Sequence, residues 1–172
     1  MPFSKRHDAL RPRSHRFYPA LAICATAFLA ACVPQENSAP PEVSQACTVM
    51  PGSAQSCVPV YACIGGEDLF VGRSVGWEQA SLTGTLSTGA TCNGTVTATR
   101  TGGQATFRCS DGQSANLNFA LAGDRTSTAL AIGRTNQNRE IRGWSGPALR
   151  DYFARGGGGA VLTCGATTVA VE

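Results

Sequence analysis

The chain has 172 residues, enough for one domain with a core of its own, and is 42% hydrophobic and 15% charged with a formal net charge of +3. That charge is unevenly placed: five of the 14 Lys and Arg and one of the 11 acids lie in residues 1–31, so the remainder holds nine arginines against ten acids, with neither lysine nor histidine. A near-neutral body of this kind excludes the basic footprint of nucleic-acid binding, any Ser-His-Asp or Cys-His constellation, and a Ser-Lys dyad.

At the start, Lys5, Arg6, Arg11, Arg13 and Arg16 stand against the single acid Asp8, the charge bias of a signal n-region. Residues 17–31, F-Y-P-A-L-A-I-C-A-T-A-F-L-A-A, carry no charge but fall short of the roughly 20 apolar residues that a spanning helix needs, so they read as an h-region. This segment ends at Leu29-Ala30-Ala31-Cys32, which resembles the lipobox of bacterial lipoproteins, L-[AS]-[GA]-C. The resemblance implies diacylglyceryl transfer to the Cys32 thiol, cleavage before Cys32 and, in many bacteria, acylation of the new amino group. Val33 stands where an aspartate typically retains lipoproteins at the inner membrane, so the resemblance implies the outer membrane of a bacterial cell envelope. Acyl chains bury with about 0.8 kcal/mol per methylene, so two or three hold such a domain without a spanning segment.

Residues 33–45, V-P-Q-E-N-S-A-P-P-E-V-S-Q, are rich in Pro, Ser and Glu and read as a tether. Extended at about 3.1 Å per residue, they reach on the order of 40 Å. The expected organisation is therefore a signal peptide (1–31), a lipidated cysteine with its tether (32–46) and a single β-rich domain (47–172).

Within that domain, short segments rich in Val, Thr, Leu and Phe alternate with Gly, Asn and Asp, which predicts strands at 58–64, 69–75, 80–86, 95–99, 104–109 and 115–120. Further strands are predicted at 127–132, 139–143 and 160–171. The fold class is all-β, mainly antiparallel, as a small sandwich, barrel or meander with one short C-terminal helix. Ser110-Asp111-Gly112-Gln113 predicts a hairpin with a type I′ turn, Thr101-Gly102-Gly103 a break before it, and Asn93-Gly94 a further turn. The helix is expected from Ser145 or Gly146 as N-cap, with Pro147 in its first turn and Gly156 at its end, its face of Leu149, Tyr152 and Phe153 packing on the sheet.

Cys24 falls in the h-region, which leaves Cys47, Cys57, Cys63, Cys92, Cys109 and Cys164 in the domain. An even number of cysteines in an exported domain predicts three disulfides, and the absence of a C-x-x-C pair and of histidine argues against zinc or redox chemistry. In the ideal register about the break at residues 101–103, Cys109 faces Thr95 or Val96, so a Cys92–Cys109 bridge would need a bend at Asn93-Gly94.

No residue set predicts catalysis, a cofactor or a metal. Gly156 to Gly159 lack the Lys and Ser/Thr of a phosphate loop, and the adjacent Glu67 and Asp68 belong to a turn rather than to a carboxylate pair. Arg134, Arg139, Arg142, Trp144 and Arg150 form the one candidate surface for an anion or a partner, against the plainer reading of a solvated face paired with Asp111, Asp124, Glu140 and Asp151.

The plan of lipobox, Tyr61-Ala62-Cys63 before a strand, and late Cys164 is similar to that of lipid-anchored lysozyme inhibitors, a family of small β-barrels. Only Ser110-Asp111-Gly112 matches that family's central Y-S-D-G…F-W signature, with Cys109 in place of its tyrosine, so no site residue carries over. The expected function is that of a non-enzymatic, membrane-anchored envelope lipoprotein with a protein or cell-wall partner. The alternatives are an inhibitor of that kind or a barrel binding a small apolar ligand, which requires an unfilled interior.

Overall fold

The computed structural model of the protein describes residues 47–122 and 128–171; the signal segment, Cys32, the tether and residues 123–127, with Asp124, lie outside the described residues. Eight antiparallel strands close into a barrel in chain order: β1 (Cys57–Ile64), β2 (Asp68–Gly76), β3 (Gln79–Leu86), β4 (Thr91–Ala98), β5 (Gly102–Cys109), β6 (Ser114–Leu121), β7 (Ala129–Thr135) and β8 (Glu140–Ser145), with β8 pairing back onto β1. A helix, α1 (Leu149–Arg155), and a two-stranded hairpin, β9 (Val161–Cys164) and β10 (Thr167–Ala170), follow the barrel. Of the predicted architectures the barrel is the one realised, and closure leaves its eight strands without a free edge.

Alternation explains why the chain folds this way. In β5, Ala105, Phe107 and Cys109 are buried while Gln104, Thr106 and Arg108 are exposed, the period of two that turns one face inward. β1 and β2 depart from this pattern because they are covered on both faces. Ala62, Ile64 and Phe70 belong to the barrel core, whereas Tyr61, Leu69 and Val71 form an outer cluster with Leu149, Leu162, Cys164 and Val171 from α1, β9 and the end of the chain. Leu149 is fully buried there, and Phe153 packs against Trp144 at 5.6 Å between ring centroids, so the helical face meets the sheet as expected.

The six cysteines form three bridges: Cys47–Cys57, Cys63–Cys164 and Cys92–Cys109. Cys92 lies directly opposite Cys109, which corrects the expected offset. The β4–β5 turn comes earlier than predicted, over residues 99–101, closed by the Thr99 N–H and Thr99 hydroxyl donating to the Gly102 carbonyl. Gly102 and Gly103 belong to β5 instead. Asn93-Gly94 likewise sits inside β4 and is not a turn: a Cβ on Gly94 would stand 1.8 Å from the Thr106 carbonyl oxygen, so glycine here permits a close strand approach.

Other local expectations are also corrected. At 110–112 only Gly112 has a positive φ, of 86°, and the Cys109 N–H donates to the Gln113 carbonyl. A type I′ turn needs two positive-φ residues, so this hairpin has a three-residue connection ending in a left-handed glycine. The helix begins at Leu149 after Ala148 with no side-chain cap, because Ser145 is the last residue of β8, paired with Val60 and Ala129. The predicted strand 160–171 is broken at Gly165, φ 56°, into β9 and β10.

Candidate functional site

The two ends of the barrel differ. At one end the inward side chains are large: Ile64, Phe70, Leu86, Phe107, Leu117 and Ile141, with the Cys92–Cys109 bridge among them. Polar groups seal that end from outside. Arg139 Nη1 donates to Asp68 Oδ2 at 2.6 Å and to Gln113 Oε1 at 3.2 Å, and Arg139 Nη2 donates to the Ile64 carbonyl at 3.0 Å. Gln113 in turn donates through its side chain (2.8 Å) and its backbone (3.0 Å) to the two Asp111 oxygens, which lowers the Asp111 carboxyl below its ordinary range.

Toward the other end most inward positions are small: Val58 and Val60 on β1, Ser74 and Gly76 on β2, Ala80 on β3, Val96 and Ala98 on β4, Ala129 and Ala131 on β7, and Ser145 on β8, with Phe119 and Leu121 on β6 the large exceptions. Eight strands enclose an interior just wide enough for side chains to fill, so a run of small residues at one level leaves space. The result is a cavity of about 730 Å³, floored by Phe70, Phe107 and Leu117 and open at the strand ends. This lies within the roughly 300–1,000 Å³ of small-ligand sites.

The mouth is built from turns. Trp77 and Glu78 join β2 to β3, Thr99 and Arg100 lie in the β4–β5 turn, and Gly146 and Pro147 lead toward α1. Val49 and Ser56 reach the rim from the segment ahead of β1, which is fastened by the Cys47–Cys57 bridge and by the Gly76 N–H donating to the Ser56 carbonyl at 2.8 Å. The wall is apolar, and its polar groups gather near the opening as Ser56, Ser74, Glu78, Thr99, Arg100 and Ser145. Such a site holds an apolar body by burial and orients it through a few polar contacts at one end. Among the described residues no group of three His, Cys, Asp or Glu is placed to hold a metal.

The arginine surface predicted from sequence is not assembled into one site. Arg139 is committed to the closed end. Arg134 and Arg142 do share the outer wall of β7 and β8, but Glu140 lies between them; Arg142 binds it at 2.7 Å and lowers its carboxyl, while Arg134 donates to the Asn138 carbonyl at 3.2 Å. Arg150 is exposed on α1, and Trp144 is half-buried beneath Phe153 while also bordering the cavity. Glu67 lies in the β1–β2 turn as expected, whereas Asp68 opens β2. The cavity residues Val60, Ala98, Ala129 and Ala131 carry no motif; their signal is small size at inward positions, which has meaning only once the strands are in register.

No family model matches the chain, and no curated protein matches it. Solved structures share the barrel: a redesigned β-barrel, mFAP1, bound to DFHBI has a TM-score of 0.44 and 14% identity, over 55% of this chain and 94% of that one. A de novo designed fluorescence-activating β-barrel has a TM-score of 0.41 and 12% identity, over 52% of this chain and 89% of that one.

Proposed function

We propose that the protein is a non-enzymatic, lipid-anchored envelope protein whose barrel binds a small apolar or amphipathic ligand. The observation that carries this reading is the cavity of about 730 Å³, apolar in its depth and polar at its rim. A barrel serving only as a structural spacer gains nothing from leaving that volume unpacked, since unfilled interior forfeits contacts. The anchor rests on Leu29-Ala30-Ala31-Cys32, and the absence of histidine and lysine after residue 31 supports the non-enzymatic reading by leaving no Ser-His-Asp, Cys-His or Ser-Lys arrangement.

The test is titration of the purified protein with an apolar dye that fluoresces only out of water. One saturable site, emptied by a long-chain competitor, is the expected outcome; weak linear fluorescence without saturation overturns ligand binding. Intact mass of the membrane-extracted protein tests the anchor separately. Acylated residues 32–172, with six alkylatable thiols appearing only after reduction, are expected, and a signal-cleaved mass without lipid overturns it.

A second reading, lysozyme inhibition, is favoured by one observation: the Cys63–Cys164 bridge joins Tyr61-Ala62-Cys63 to the late cysteine. It requires stoichiometric loss of lysozyme activity on addition of the protein, and unchanged activity removes it.

A further inference from the structure

We infer that the cavity mouth is the membrane-facing end of the barrel, and that its rim, led by Trp77 and Leu121, seats in the interface of an uncharged phospholipid surface. The inference rests on the anchored-barrel reading and adds the orientation of the barrel and the side from which ligand arrives.

The path of the chain supplies the first argument. Cys47, where the described chain starts, is bridged to Cys57, and Cys57 opens β1 at the mouth end. The Thr48 carbonyl accepts the Cys57 N–H at 3.0 Å, and Val49 lines the opening. A tether arriving from Cys32 therefore joins the barrel at its mouth. The 14 residues between Cys32 and Cys47 reach about 43 Å in an extended polyproline-like form, at about 3.1 Å each, so the barrel is tied to the lipid by its mouth end.

The second argument is the chemistry of the two ends. Trp77 is 45% and Leu121 43% exposed, and both border the cavity. A tryptophan on one turn and a leucine across the opening suit the boundary between headgroups and acyl chains, where an amphipathic ring is at home. At the rim the described charges are one acid, Glu78, and one base, Arg100, so the attraction is apolar burial and not charge. The opposite end carries charged groups of both signs in or beside its turns, Glu67, Asp68, Asp111 and Glu140 with Arg134, Arg139 and Arg142, which water solvates and an uncharged lipid interface does not. A mouth seated on lipid lets a poorly soluble ligand enter the cavity without crossing water.

The experiment reconstitutes the mature protein into phosphatidylcholine vesicles with brominated acyl chains and reads tryptophan fluorescence, Trp77 and Trp144 being the two tryptophans of the chain. Quenching several-fold greater in wild type and Trp144→Phe than in Trp77→Phe is expected, and it should persist when salt is raised. Leu121→Asp, a change at an exposed position, should diminish it in an otherwise folded barrel. No quenching, quenching that survives Trp77→Phe undiminished, or quenching abolished by salt overturns the inference. Intact mass on the same sample keeps the two readings apart: acylated protein without Trp77 quenching sinks the orientation alone, and protein without lipid sinks the anchor while the vesicle measurement still decides the mouth.

Discussion

Cys63, facing outward from β1, is bridged to Cys164 on β9, 101 residues later, and this bond holds the β9–β10 hairpin and α1 against the barrel wall. Cys164 is 1% exposed, among Tyr61, Leu69, Val71, Leu149 and Leu162.

Replacing both cysteines by serine should cost about 2–5 kcal/mol, the range for releasing a loop of this length. The loss should fall unevenly. Amides of α1, β9 and β10 should lose hydrogen-exchange protection while β3 to β6, joined by their own ladders and by Cys92–Cys109, keep theirs. Uniform loss of protection across all eight strands would refute a local role for the bridge.

Arg139→Met should destabilise the closed end by about 2 kcal/mol, because it takes the Arg139 donor from the Asp68 carboxylate and the Gln113 side-chain carbonyl where solvent reaches only in part, and leaves the Ile64 carbonyl with the Glu67 N–H alone. Adding Asp68→Leu should recover part of that loss, since the stranded charge is then gone. Chemical denaturation of both single variants and the double variant checks this; strictly additive losses would show that Arg139 and Asp68 do not act as a pair.

Cavity filling separates binding from stability. Ala131 points into the barrel opposite Phe119 and Gly143 and borders the cavity. Ala131→Phe should lower affinity for the apolar dye at least about tenfold, equivalent to about 1.4 kcal/mol, while leaving the unfolding midpoint nearly unchanged because the ring enters space already open. Unaltered affinity would place the dye elsewhere.

Asp111 should contribute to the acid limb of stability. Its carboxyl is held below the ordinary range by the Gln113 side chain and then by the Gln113 backbone N–H. A group whose pKa is lower folded than unfolded stabilises the fold above the unfolded value, near pH 4, and that contribution disappears as pH falls through the folded value. Asp111→Asn should flatten the stability profile below about pH 4, with little change in its shape at neutral pH; an unchanged acid limb would show that other carboxylates carry it.

Much of the fold is legible in the residues. Alternation in 80–86, 104–109 and 115–120 marks strands that the structure places at Gln79–Leu86, Gly102–Cys109 and Ser114–Leu121, because one buried face imposes a period of two on the sequence. The helical face of Leu149 and Phe153 is legible for the same reason. Turns are less so: Gly94, Gly102 and Gly103 look like punctuation but serve close packing inside strands, and a glycine alone does not say which of the two it does.

From the sequence alone came the all-β class, the one helix among the described residues, the use of six cysteines as bridges and the absence of lysine and histidine after residue 31, since each follows from local pattern or composition. Tertiary structure decided the pairing of those cysteines, the closure of β8 onto β1 and the position of the cavity. These depend on register. Val60, Ala98 and Ala131 lie far apart in the chain, and only the stagger of closed strands brings their small side chains to one end, where together they leave a space that none of them specifies.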